Sequence, residues 1–575
     1  MRQHGLIRRW GLLGWLAAAP GASLAQSPIY SPTDTVHPVY ARAGMVATQE
    51  ARATQVGVDI LKGGGNAVDA GVAIGFALAV TLPRAGNLGG GGFMVLHHAQ
   101  SDTTTAVDYR EVAPKAATRD MFLNDEGEVD KRRARFSHLS VGVPGTPAGL
   151  LLALEKYGTL SREQVLAPAI AMAENGIEVT PSLAASLRFG LKRLSRWPSS
   201  RAIFLDDGGA APAVGTTLRQ LDLAKTLKRI AKEGAPGFYG GEVAERIATE
   251  MQRHGGLITT DDLANYQAKL RRPVRGQYRG FEIASMPPPS SGGVHLVQIL
   301  NILEGFPIDY LGANSAETIH LMAETMKLAY ADRSQYLGDP DHWEVPVKGL
   351  VSKRYADKLR ASINRYRARS AKAIGPGNPV PYESNETTHY SVMDKEGNAL
   401  ANTYTLNFSF GTGIVAAGTG VLLNNEMDDF SAKPGVPNAY GLIGGEANAI
   451  APRKRPLSSM TPTLVFKDGK PFLATGSPGG SRIITTTLQI ILNVIDHQMN
   501  IAAATAAPRV HHQWQPDYLR IEKGISPDTV RLLAEKGHDV RVKRAMGSVQ
   551  SVMRGEEGFY GASDRRRPGA LTLGY

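Results

Sequence analysis

There is no cysteine in the 575 residues, which removes disulfides, thiolate nucleophiles and Cys-ligated zinc. There is also no bilayer-length apolar run. The almost wholly apolar stretch Ala67 to Leu82 falls short of the ~20 residues a membrane helix needs and reads as a buried core helix. The motifs of several common chemistries are missing: no Gly-x-Ser-x-Gly elbow, no Ser-x-x-Lys, no Gly-x4-Gly-Lys phosphate loop and no His-Glu-x-x-His. His511 and His512 are adjacent, so on a strand they face opposite ways and do not share an ion. No internal repeat or low-complexity tract is present. What remains is a composition of 42% hydrophobic and 20% charged residues, which fits a folded globular protein and not a disordered one. The net charge of +11 is scattered. Its densest cluster, Arg365 to Lys372, reads as a solvated segment, so no nucleic-acid partner is expected.

The N-terminus carries Arg2, Arg8 and Arg9 without an acid, then the short apolar run Gly11 to Ala19. Pro20-Gly21 breaks that run and Ser23-Leu24-Ala25 presents small residues to a signal peptidase. Residues 1–25 therefore read as a secretory signal, predicting a periplasmic or secreted protein without a membrane span. The Arg8-Arg9 pair leaves the general and twin-arginine routes both open.

Along the mature chain, Val46 to Lys62 predicts an amphipathic helix stopped by Gly63 to Gly65. Gly89 to Gly92 before an apolar strand predict close backbone packing or a ligand contact, and Arg110 stands where a strand gives way to a loop. From Pro147 to about residue 280 the pattern is helical. Met286 to Gly293 is a rigid loop feeding a helix that starts near Val294, and Ala316 to Tyr336 reads as an amphipathic helix. The Gly/Pro-rich segment Pro434 to Pro456 has the length of a lid. Thr463 to Thr475 predicts a hairpin turning at Asp468-Gly469. Gly479 and Gly480 precede a helix from Arg482 to about Met499, where their amides are natural oxyanion donors or simply an N-cap. Leu519 to Lys543 predicts a β-α-β element, and Val549 to Met553 a hairpin with Phe559 to Gly561.

The chain is organised around Ser384 to Val392. A Pro/Gly-rich run ends there, and from Thr388 the residues alternate like a strand, turn at Asp394 to Gly397 and return as a second strand to Leu406. Such a place is either an ordinary strand start or a cut site that makes Thr387 a new N-terminus. A free N-terminal threonine carries its own base, because an α-amine titrates near 7.7–8.0 and can take the hydroxyl proton. His389, two residues on, reads as structural.

Six motifs, in order, carry a resemblance: Gly89 to Gly92; Asp108-Tyr109-Arg110-Glu111; Asn385 to Val392; Leu423 to Phe430; Arg455 to Met460; and Gly476 to Arg482. From about Val46 to Tyr575 the chain resembles the γ-glutamyltranspeptidases. That resemblance implies an α+β, four-layer αββα sandwich of the N-terminal-nucleophile (Ntn) hydrolase type. It implies a precursor cut between Glu386 and Thr387 into a large subunit (26–386) and a small one (387–575) that remain a heterodimer, with no cofactor and no metal. Thr387 would attack the γ-amide of glutathione or another γ-glutamyl compound and pass the acyl group to water or to an amino acid or peptide.

Carried over residue by residue, the resemblance makes Thr405 the partner that orients the Thr387 hydroxyl, and Gly479 and Gly480 the oxyanion donors. Arg110 would hold the substrate α-carboxylate with Ser458 and Ser459, and Asp429 the α-ammonium with Asn407 and Glu426. Tyr440 would belong to the lid. Singly, each has a bland reading: a turn cap, a loop closure, a structural ion pair. Position 426 is acidic where some relatives carry an amide, which implies a more negative ammonium pocket. Position 386 is acidic where some carry Gln, which bears on processing rate. A glutaryl-cephalosporin acylase of the same fold is the alternative enzyme reading, disfavoured because Asp429 and Glu426 suit an ammonium. An inactive γ-glutamyl-peptide-binding protein of the periplasm is the alternative outside enzymes, and no lesion in the nucleophile or oxyanion elements supports it.

Overall fold

Strand residues in this chain are apolar on both faces, so they require cover on both sides. In Gly44–Thr48, Met45 and Ala47 point one way and Val46 the other, yet all three are fully buried. The same period-two sorting places Phe93 and Val95 on one face and Met94 and Leu96 on the other. A computed structural model, which describes residues 30, 31, 33–379 and 389–575, shows how this is met. The signal-peptide expectation, Glu386 and Thr387 lie outside the described residues.

Numbered in chain order, the strands of the two large sheets are β1 (Val39–Ala41), β2 (Gly44–Thr48), β3 (Gly91–His98), β4 (Thr103–Tyr109), β5 (Lys269–Arg271), β6 (Val274–Tyr278), β7 (Phe281–Ser285), β8 (Tyr390–Asp394), β9 (Ala399–Thr405), β10 (Thr463–Lys467), β11 (Lys470–Thr475), β12 (Gln550–Arg554), β13 (Phe559–Ser563) and β14 (Leu571–Gly574). One seven-stranded sheet runs β14-β2-β8-β9-β3-β4-β5 and the other β1-β13-β12-β11-β10-β7-β6. The sheets face each other across Met45, Phe93, Val95, Met393, Ala401, Leu464, Phe466 and Val552. The outer face of the first packs on helices Ala51–Lys62, Ala67–Thr81 and Thr146–Tyr157. That of the second packs on Gly292–Leu303, against which Ala316–Tyr336 and Arg482–Ile495 lie. The fold is thus the expected four-layer αββα sandwich.

Several sequence expectations change. The helix expected from Val46 begins at Ala51, with the Glu50 carboxylate accepting from Ala53 N (3.1 Å); residues 44–48 are strand β2, because pairing with β8 and β14 overrides local pattern. The helical region after Pro147 ends at Ala264 and gives way to β5 and β6. The helix Ala316–Tyr336 is buried from Thr318 through Arg333 and is not amphipathic, because neighbours cover that stretch on every side. The helix expected to reach Met499 stops at Ile495. Strand β14 was not expected; its partner β2 is more than 500 residues away in sequence. The hairpin at Asp468-Gly469 forms as expected, with φ of 50° and 74°, both left-handed as a tight hairpin turn needs. The β-α-β element also forms, with Leu519–Ile521 parallel to Val540–Val542. No helix among the described residues is long and apolar enough to cross a membrane.

Candidate active site

The glycine run is what lets the site-bearing strands close in. A Cβ on Gly90 would lie 1.9 Å from Thr405 O, and one on Gly91 2.5 Å from Tyr109 O. Strand β3 therefore sits tight between β9, which ends in Thr405, and β4, which delivers Arg110. Of the two readings of Gly89 to Gly92, close packing is the one realised.

Arg110 follows β4 with its side chain fully buried. Its Nη2 donates to Asp429 Oδ2 (2.6 Å), its Nη1 to Glu426, and its Nε to Pro456 O (3.3 Å). Glu426 and Asp429 share one short 3-10 turn, which aims both carboxylates at the same guanidinium. A third carboxylate, Glu111, lies 3.7 Å from Nη1, and neither of its oxygens has a hydrogen-bond partner among the described residues. Burial pushes Glu111 up to about 7, against the pull of Arg110. Burial also raises Asp429, again opposed by Arg110. Next to it, Asp428 is pushed up to about 7 by burial despite its bond from Arg135 Nε (3.0 Å). Arg110 thus faces three buried acids, and Arg333 also acts on Asp429, so the pocket is dense in buried charge.

Ser458 and Ser459 are fully buried and follow Leu457, which lines the cavity that Asp429 and Glu426 also line. Ser458 O accepts from Ser291 N (3.2 Å), Ser291 Oγ (2.9 Å) and Arg333 Nη2 (3.4 Å), while Arg333 Nε donates to Ser291 Oγ (3.0 Å). The rigid loop Met286 to Gly293 is therefore a clamp on the serine pair. The Ser459 hydroxyl is buried and has no partner among the described residues. Sequence reasoning missed Ser291 and Arg333. Arg333 sits near the end of a helix whose full burial cannot be read from its pattern, yet it lines the same cavity as Asp429, Thr405 and Tyr440.

Thr405 Oγ1 accepts from Asn407 N (2.8 Å), which leaves its own proton to donate. Asn407 adopts a left-handed φ of 70°, tolerated by Asn, and its Nδ2 donates to Asn425 O (3.0 Å). From the Pro434 to Pro456 segment, the Tyr440 hydroxyl reaches Asn407 O (3.1 Å) and Oδ1 (3.0 Å), and its ring lies against Gly480, where a Cβ would come within 2.6 Å of it. The segment does cover the cavity. Gly479 and Gly480 take φ of 145° and 59° just before helix Arg482–Ile495, and neither amide has an acceptor among the described residues.

His389 is enclosed, with Nδ1 at Thr403 Oγ1 (3.3 Å) and Nε2 at Ser391 Oγ (2.5 Å); burial pushes it down to about 3. That keeps it neutral and structural, as expected. His511 bonds Thr485 (2.9 Å) and Gln513 (3.0 Å), whereas His512 faces Asp517 (3.4 Å), so the adjacent pair diverges. The basic run 365–372 is not wholly solvated: Arg369 Nε pairs with the buried Glu324 (3.3 Å).

Three comparisons bear on this arrangement. The family model described as gamma-glutamyltranspeptidase matches residues 53–573. A glutathione hydrolase proenzyme of Escherichia coli strain K12 is 57% identical over 561 residues, covering 97% of this chain and 96% of the relative. Among solved structures, a cephalosporin acylase from Bacillus halodurans superposes with a TM-score of 0.84 at 30% identity, over 96% of this chain and 98% of the other. One chain of the Helicobacter pylori gamma-glutamyltranspeptidase gives 0.57 at 44% identity, covering 60% of this chain and 97% of its own.

Proposed function

This chain belongs to the γ-glutamyltranspeptidase family of Ntn hydrolases, and on that premise we propose that it is a self-processing γ-glutamyltransferase and glutathione hydrolase acting through Thr387. The observation that carries the reading is the buried charge set of Arg110, Asp429 and Glu426 beside two glycine amides without acceptors among the described residues. A donor ending in an α-amino acid is a zwitterion. Inserted here, its carboxylate takes Arg110 with the Ser458 and Ser459 hydroxyls, and its ammonium takes Asp429 and Glu426. Every buried charge then keeps a partner, which matters because an orphaned one costs several kcal/mol. A glutaryl group brings only the carboxylate and offers no ammonium to Asp429 and Glu426.

Thr387 is two residues before His389, whose ring bonds Thr403 on β9. Thr405, on the same strand, keeps its hydroxyl proton to donate and would orient the nucleophile. In the precursor, the Thr387 hydroxyl attacks the Glu386 carbonyl; the peptide C–N bond breaks, an ester forms, and water hydrolyses it. The freed α-amine then accepts the hydroxyl proton as Thr387 attacks the γ-carbonyl of the donor. The Gly479 and Gly480 amides stabilise the oxyanion, a contribution of roughly 3–4 kcal/mol per donor. Collapse breaks the γ-amide bond, the α-ammonium returns its proton to the leaving amine, and the γ-glutamyl ester passes to water or to an acceptor amine.

The cut leaves subunits 26–386 and 387–575. They stay together because β8, β9 and β14 of the small subunit alternate in one sheet with β2 and β3 of the large one. The leader at residues 1–25 would export the precursor to the periplasm or beyond. The test is the purified protein on a denaturing gel: two bands, the smaller beginning at Thr387, and for Thr387→Ala one band with no turnover of γ-glutamyl anilide. A single intact chain with full activity would sink the proposal.

A further inference from the structure

Away from the pocket, two groups of histidines and carboxylates come close enough to share an ion. Their surroundings separate them. In the first, His320 Nδ1 and His538 Nε2 already bond each other at 2.8 Å, and His320 Nε2 is held at Asn364 O (2.8 Å). Its carboxylate, Glu324, carries Lys327 Nζ at 2.7 Å and Arg369 Nε at 3.3 Å. A divalent ion there would have to displace two cations, so this group is a satisfied polar core.

The second group, His138, Glu250 and His254, differs on each count. Its ligand atoms all lie within 4.8 Å of one another. His138 Nε2 is 3.1 Å and His254 Nε2 3.6 Å from the same Glu250 oxygen. No lysine or arginine pairs with Glu250 among the described residues. Glu250 and His254 are one turn apart at the end of helix Gly241–Arg253, so they share a face, and His138 opens the 3-10 turn His138–Ser140 against them. The two imidazoles stack at 4.7 Å and 20°, and the edge of Trp197 holds both at 4.9 and 5.4 Å, which restricts the rings before any ligand arrives. The His254 side chain is 43% exposed and gives an ion a way in.

We propose that His138, Glu250 and His254 form a binding site for a divalent transition-metal ion such as Zn²⁺ or Ni²⁺, taking two imidazole nitrogens and one carboxylate oxygen, with water completing the shell. The ion takes the place of the His138 Nε2–Glu250 hydrogen bond, with the imidazole binding through Nε2 and carrying its proton on Nδ1. The site escapes spacing rules because His138 lies 112 residues from Glu250.

The test uses tag-free, processed protein freed of metal by chelator and dialysis. Zn²⁺ binding is followed by calorimetry and Ni²⁺ binding by quenching of tryptophan emission, with Trp197 as the adjacent reporter. The expected result is saturable binding of one equivalent, weakened at least about tenfold by His254→Ala and by Glu250→Gln, since loss of even an outer partner of a metal ligand has that effect. His254 is half exposed, so its truncation spares the core. Unsaturable binding by the wild type, or equal affinity in wild type and His254→Ala, overturns the site. Full affinity in Glu250→Gln overturns the three-ligand set.

Discussion

Replacing Asp429 by Asn separates an ammonium pocket from a merely structural ion pair. Asp429 accepts from Arg110 Nη2 at 2.6 Å, but Arg110 keeps Glu426, and the Asp429 backbone carbonyl keeps its bond from Asn448 Nδ2 (2.8 Å). The Asn oxygen can still accept from Nη2, so the fold should survive. What is lost is a charge-assisted contact to the donor ammonium, worth roughly 1.5–3 kcal/mol. At about 1.4 kcal/mol per factor of ten, kcat/KM for a γ-glutamyl anilide should fall about 10- to 150-fold. A glutaryl anilide has no ammonium to lose contact with, so its turnover should hold. The assay is kcat/KM for both anilides on both proteins. A parallel fall for the two substrates would refute the assignment.

Three further outcomes follow from the same geometry. Ser459→Ala removes a buried hydroxyl without a partner, so thermal stability should hold or improve while KM for the γ-glutamyl donor rises about fivefold, the equivalent of ~1 kcal/mol; an unchanged KM counts against its contact with the donor. Gly480→Ala places a methyl within 2.6 Å of the Tyr440 ring at a left-handed φ of 59°, so activity should drop sharply. Tyr440→Ala in the same chain should restore part of it, and strict additivity in the double variant argues against the clash. Glu111 has its carboxyl raised from 4.5 to about 7 by burial. Its folded value exceeds its unfolded one, so its protonated form favours the fold below about pH 4.5 and that advantage is lost as pH rises through about 7. Melting curves should therefore show Glu111→Gln gaining stability on wild type at pH 8 relative to pH 5, and a pH-independent difference would contradict the neutral-acid reading.

The sequence by itself determined what is local or motif-borne. The break in pattern before Thr388, the left-handed turn at Asp468-Gly469, the core helix at Ala67 and the ordered motifs around Arg110, Asp429, Ser458 and Gly480 are set by residues close in the chain. The resemblance those motifs carry extended this to the four-layer fold. Tertiary structure decided what depends on neighbours distant in sequence. Val46 is strand because β8 and β14 flank it, the helix is buried on every face from Thr318 to Arg333 because other layers enclose it, and Arg333 reaches Ser458 only across the interface between a helix and a loop. His138 meets Glu250 and His254 for the same reason. Periodicity reports the side a residue buries when one face is wet, and in a sandwich covered on both faces of each sheet that contrast is gone, so pairing and packing assign the roles.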